Sequence, residues 1–155
     1  MPAAVKPQPL PWCRPALYSR VPRVSLAAAC RFHGHLGPWL VLGLRAGEYA
    51  ARKLKASPFE IKATVWCGPR PPFSCFLDGV QLGSGCTMGK ANLRHIPANG
   101  ACRARFRAPG GTLELRLLPA VAAELDAVSA EDADAFGRRL YRRPISRLFS
   151  IAGRD

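Results

Sequence analysis

The sequence predicts one domain in which helices and strands share a single core. Three observations predict it: a length of 155 residues, apolar positions three and four apart at 39–55, and alternating stretches at 59–67 and 101–117. A chain of this length typically buries about 70% of its unfolded surface in one core, and two cores would be cramped. A hydrophobic content of 48% and a charged content of 21% are ordinary, so the bulk should fold without a metal or disulfide staple. Any bound metal would then serve function.

The elements follow in chain order. Residues 1–22 hold Pro2, Pro7, Pro9, Pro11, Pro15 and Pro22, a density that blocks helix and predicts an extended arm ahead of a domain at 23–155. Ser25 suits an N-cap, the alanines after it favour helix, and that short helix should end near His33. Gly34, Gly37 and Pro38 predict a bend, because Pro38 biases Gly37 away from the right-handed helical region. A second helix is expected over 39–55, with Leu40, Leu44, Gly47, Ala51 and Leu54 on one face. Gly47 costs it stability but admits close approach of a neighbour. Ser57 and Pro58 close it.

Residues 59–67 place Phe59, Ile61, Ala63, Val65 and Cys67 on one side and Glu60, Lys62, Thr64 and Trp66 on the other, the pattern of a half-buried strand. Residues 68–73 are expected as a loop and 75–82 as a short helix. Residues 100–118 read as a hairpin: 101–107 alternates small or apolar with basic residues, Pro109, Gly110 and Gly111 turn, and Leu113, Leu115 and Leu117 alternate on the return. Ser129 with Asp132 resembles a capped helix start, predicting a helix over 130–141. Leu148, Phe149 and Ile151 should pack back on the body.

The formal net charge of +13 raises the possibility of nucleic acid. The distribution weakens it, since Arg20, Arg23, Arg31, Arg45, Arg70 and Arg94 are scattered and only Arg138, Arg139, Arg142 and Arg143 cluster. A basic surface or an anionic small-molecule substrate fits better, and nucleic acid is not expected as a partner. Six cysteines without a C-x-x-C pair point to buried thiols, metal ligands or catalytic groups more than to disulfides. No apolar run in the first thirty residues is long enough for a signal peptide or membrane span, and Leu-Ala-Ala-Ala-Cys at 26–30 lacks the apolar stretch of a lipoprotein signal. A cytoplasmic protein without a membrane partner is expected.

Two constellations carry chemistry. In Phe-His-Gly-His-Leu-Gly-Pro at 32–38, imidazoles two residues apart would lie ~200° apart around a helix, so they can converge only on bent backbone. Gly34, Gly37 and Pro38 supply the bend. Imidazole ligates zinc-like ions and moves protons near neutral pH; equally, one histidine could face solvent and the other be satisfied in the core. The second stretch runs from Cys75 to Asn92 with Gly83, Gly85 and Gly89. Its amides can point at an anion while Lys90 supplies positive charge. It is not a phosphate-binding G-x-x-x-x-G-K-[ST] loop, because Ala91 follows Lys90 and Ser84 stands where the first glycine belongs. Cys86, among glycines and near a lysine, is expected to favour thiolate, which both ligates metals and attacks electrophiles. A small buried thiol in a tight turn is the plainer alternative.

Phe-His-Gly-His-Leu-x-Pro at 32–38, followed by Gly43 and Arg45, and Cys-x-x-Asp-x-x-Gln at 75–81 with Gly-Cys-Thr-x-Gly-Lys-x-Asn-Leu at 85–93 resemble the FmdE family, which takes its name from formylmethanofuran dehydrogenase, over about residues 25–150. The resemblance implies an α+β domain with a mixed or antiparallel sheet packed by helices, usually a homodimer, with a metal-binding pocket lined by these motifs. Many relatives read His-Gly-His-x-Cys-Pro-Gly and carry a C-terminal zinc ribbon. Here Gly37 stands at the cysteine position, and no ribbon is expected.

With that resemblance, the leading expectation is a metal-dependent or metal-handling protein. His33, His35 and Cys86 would hold a divalent ion, most naturally zinc, with Cys75 a further candidate ligand; three ligands leave a position for water or a small anionic substrate, whereas four would close the site. Cys86, Lys90 and Asp78 are the candidate catalytic groups, with Asp78 as base or as partner to a ligand; Gly85, Thr87 and Asn92 would hold a substrate or cofactor. A second expectation is an accessory subunit or carrier of a pterin or tetrapyrrole for a one-carbon or redox enzyme. A third is metal-free thiol chemistry at Cys86 with a histidine as base.

Overall fold

In a computed structural model that describes residues 19–154, helices α1 (Leu26–His33) and α2 (Pro38–Leu54) precede strand β1 (Lys62–Cys67). Helix α3 (Cys75–Ser84), strands β2 (Leu93–Pro97), β3 (Cys102–Ala108) and β4 (Gly111–Leu117), helices α4 (Pro119–Asp126) and α5 (Ala133–Arg142), and strand β5 (Phe149–Arg154) follow. The expected arm lies almost wholly outside the described residues.

The strands form one open five-stranded sheet in the order β2-β1-β3-β4-β5. β1 and β2 are parallel and the other neighbours antiparallel. A parallel pair needs a crossover, and α3 supplies it. The expected α+β class with a mixed sheet is therefore the observed one.

Alternation places Ala63, Val65, Cys67, Ala104, Phe106, Leu113 and Leu115 on the buried face. Against that core lies α2, buried on nearly every side from Leu40 to Ala51 except at Arg45, Glu48 and Tyr49. Ser25 caps α1 by accepting a hydrogen bond from the Ala28 N–H at 3.1 Å, and Gly34 ends it in the left-handed conformation at φ 105°. Gly37 is extended, with φ −76° and ψ 156°, and Pro38 opens α2.

α2 and α3 run side by side in the same direction, joined through glycines. A Cβ on Gly43 would meet the Phe76 carbonyl oxygen at 2.1 Å, and one on Gly79 the Leu40 carbonyl oxygen at 2.0 Å. One turn on, a Cβ on Gly47 would meet the Ser84 nitrogen at 2.5 Å, and one on Gly83 the Leu44 carbonyl oxygen at 2.3 Å. The close approach expected of Gly47 is thus one quarter of a four-glycine seam.

Several boundaries differ from expectation. β1 begins at Lys62 because residues 57–61 turn: the Ser57 N–H donates to the Glu60 carboxylate at 3.1 Å and the Ile61 N–H to the Ser57 carbonyl at 3.2 Å. α5 begins at Ala133, after a Ser129–Asp132 turn in which the Ser129 hydroxyl donates to Asp132 at 2.9 Å. β2 and α4 were not foreseen, and residues 149–154 form an edge strand on β4.

Candidate functional site

The bend at 34–38 brings the two histidines together. The rings of His33 and His35 stand 5.2 Å apart between centroids. His33, the last residue of α1, is bonded through Nδ1 to Asp78 Oδ2 at 2.7 Å; its side chain is 11% exposed and that of Asp78 36%. Asp78 lies in the first turn of α3. A carboxylate only accepts, so this bond places the His33 proton on Nδ1 and leaves the Nε2 lone pair for other work.

His35 is outermost, with a side chain 57% exposed and Nδ1 3.7 Å from Asp134 of α5. Asp134 carries no motif that would have revealed it. The His35 ring also covers Gly37, where an added Cβ would meet His35 Cε1 at 2.6 Å.

Of the remaining predicted residues, Cys75 stays one turn from Asp78 and the others go elsewhere. Cys75 opens α3, and burial together with the neighbouring Asp78 pushes its thiol up. Cys86 lies past the opposite end of α3, beyond the ~9 Å of helix that runs from Asp78 to Ser84 at 1.5 Å per residue. It is fully buried, and its thiol donates to the Ile61 carbonyl at 3.5 Å. The expectation of a thiolate there is corrected. Burial raises the Cys86 thiol and outweighs the opposing pull of Ser84 and Lys90.

Lys90 turns inward instead of toward a ligand, donating from Nζ to the Gly85 carbonyl at 2.5 Å and to Thr87 Oγ1 at 3.0 Å. Asn92 accepts from the Thr87 N–H at 2.8 Å and donates to the Pro58 and Ile61 carbonyls, each at 3.0 Å. The Gly-Cys-Thr-x-Gly-Lys-x-Asn stretch is therefore a clamp that ties the end of α3 to the start of β1.

Among the described residues no three His, Cys, Asp or Glu side chains are placed to hold one metal ion. The expected ligands His33, His35 and Cys86, with or without Cys75, are therefore not gathered into a zinc site, whose donors lie within ~2.0–2.3 Å of one centre.

A second thiol group escaped the sequence reading. Cys67 Sγ lies 3.5 Å from His95 Nε2, and Cys67 and Cys102 face each other across β1 and β3. Burial pushes the Cys67 thiol to about 11, and Cys102 is raised as well. At neutral pH both are inert protonated thiols.

The family model described as "FmdE, Molybdenum formylmethanofuran dehydrogenase operon" matches residues 32–149. Among curated proteins, the chain is similar to a "Probable S-adenosyl-L-methionine-binding protein" of Archaeoglobus fulgidus, with 38% identity over 85 residues. That alignment covers 50% of this chain and 22% of that protein, so the chain spans under a quarter of its length. No described helix is long and apolar enough to cross a membrane.

Proposed function

Because this chain belongs to the FmdE family, we propose that the His33–Asp78 pair is the proton-transferring centre of a pocket for a small anionic substrate, in an enzyme serving a one-carbon dehydrogenase system. The observation that carries this reading is the 2.7 Å bond from a largely buried imidazole to a carboxylate. Such a bond fixes tautomer and ring orientation, as a general base requires. His35, exposed beside it, is placed to pass protons to solvent or to contact the substrate. The net charge of +13 favours anions at long range.

Two imidazoles do not complete a metal site. A divalent ion shared by His33 and His35 would need substrate or water for its other positions. A cytoplasmic homodimer belongs to the same reading and rests on the family likeness.

The test is the His33 tautomer. Nitrogen-15 NMR of the full chain should show the proton on Nδ1 in the wild type and a redistribution toward Nε2 in Asp78→Ala. A wild-type ring protonated on Nε2, or one indifferent to Asp78, would sink the reading.

A second reading is an accessory carrier of a small cofactor. One observation favours it beside the relative's name: a cavity of about 600 Å³ at the C-terminal end of α2, with Arg20, Arg23, Arg52 and Lys55 around Glu48. Burial raises the Glu48 carboxyl against the pull of Arg23. A zwitterion could use both signs of charge. Calorimetric titration with S-adenosyl-L-methionine should give heat that Glu48→Gln weakens; no heat at millimolar ligand ends this version. A visible absorbance band in the purified protein would point instead to a pterin or tetrapyrrole.

A further inference from the structure

The outer face of the sheet has no use in the pocket, and it collects much of the positive charge. Strand alternation puts Lys62, Thr64 and Trp66 of β1 on the face away from the core, in register with Arg107, Arg105 and Arg103 of β3. Arg94 of β2 lies beside Thr64, and Arg116 of β4 beside Arg103. Arg103, Arg105 and Arg107 alternate along one strand, and strand pairing sets Lys62, Arg94 and Arg116, distant in the chain, beside them. None of these positions is fully buried, and Lys62, Arg94, Arg107 and Arg116 are exposed. Among the described residues no helix covers them.

Glu114 is the carboxylate at the centre. It pairs with Arg103 at 3.2 Å, Arg105 at 2.8 Å and Arg116 at 2.6 Å. Burial alone would raise its carboxyl, but hydrogen bonds from Arg105 and Arg116 outweigh burial and hold it low. One negative charge thus orders three guanidinium groups and leaves the face strongly positive. Arg103 lies over the Trp66 ring at 4.0 Å and Arg105 at 5.3 Å, so flat groups are layered above the sheet. Beside them Arg105, Arg107, Thr112 and Glu114 border an open hollow of about 480 Å³.

We infer that this face binds single-stranded RNA. Five arginines and a lysine match phosphates, and arginine engages them bidentately. Stacked indole and guanidinium planes offer bases a platform. A broad sheet face is wider than an undistorted duplex groove, whereas splayed bases can lie on it. Thr64 and Thr112 place hydroxyls among the cations, where a ribose 2′-OH would pass. A second copy of the chain is a poor occupant, because two such faces repel.

Fluorescence anisotropy with a labelled uridine 20-mer and the full chain tests the inference. Engaging about five phosphates predicts affinity falling roughly a hundredfold between 50 and 200 mM salt, from a slope of about −0.7 per phosphate. Arg105→Ala with Arg107→Ala should weaken binding at least about tenfold, and Trp66→Leu between about fivefold and a hundredfold, for the loss of one stacked base. Arg138→Ala with Arg142→Ala on α5 removes the same charge from another surface and should change affinity less than about threefold. The inference is overturned by absent binding, by equal losses in the two arginine pairs, or by tighter binding to duplex. Equal affinity for the deoxyribose strand refutes the RNA assignment, and displacement by an equal charge of polyglutamate reassigns the face to an acidic protein.

Discussion

Replacing Gly79 with alanine probes the seam that holds α3 against α2. The new Cβ would sit 2.0 Å from the Leu40 carbonyl oxygen and 2.6 Å from the Leu44 nitrogen. Both obstacles are backbone atoms of a buried helix, so no side chain can swing aside. The helices must part by an ångström or more, and overpacking of this kind costs about 3 kcal/mol. Alanine returns about 1 kcal/mol through its better helix propensity. The net loss is about 2 kcal/mol, or a fall of ~4–8 °C in melting temperature for a chain of this size. Urea and thermal unfolding followed by circular dichroism measure it. Gly89→Ala is the control, since nothing lies within 4 Å of a Cβ there, and it should be neutral or slightly stabilising. If Gly79→Ala matches that control, the close packing of α2 on α3 is refuted.

Asn92→Ala removes three hydrogen bonds, one within the 85–92 turn and two that join it to the Pro58 and Ile61 carbonyls, and should cost about 2–3 kcal/mol in urea titration; a loss under about 0.5 kcal/mol would show that water replaces the clamp. Cys67 binds its proton more tightly folded than unfolded, with its thiol raised from 9.0 to about 11. Its contribution to stability is therefore complete below pH 9 and is lost as pH rises toward 11. Cys67→Ala should flatten that alkaline decline, and an unchanged slope would refute the assignment. Exhaustive dialysis against a chelator should leave the melting temperature within about 1 °C, because a metal bound only to the native state would raise it; a large fall would reveal a site that the described residues do not show.

Much of the fold was legible because it rests on local pattern. Ser25, Gly34 and Pro38 act through their own backbone chemistry, and the inward faces of 61–67 and 113–117 follow from alternation. β2 was harder, being short and ending in Pro97, with His95 and Ile96 giving no clean alternation. α4 left a signal that went unread: Pro119 followed by good helix formers. Of the site, the convergence of His33 and His35 was legible, since only bent backbone permits it. The partnership of His33 with Asp78 depends on how α3 sits on α1, which no spacing encodes. The role expected of Lys90, Thr87 and Asn92 failed to appear for a related reason. Polar residues beside glycines can serve a ligand or the chain itself, and here the hydrogen bonds close on the turn and on the carbonyls of Pro58 and Ile61.

The ring of His35 occupies the space above Gly37 that a side chain at that position would fill. Residues 35 and 37 are therefore rivals for one location beside His33. A chain with glycine at 37 can station an imidazole there, while a chain with a larger residue must send the imidazole elsewhere. The identity of a single residue in the bend thereby sets which chemical group stands over the half-buried His33–Asp78 pair.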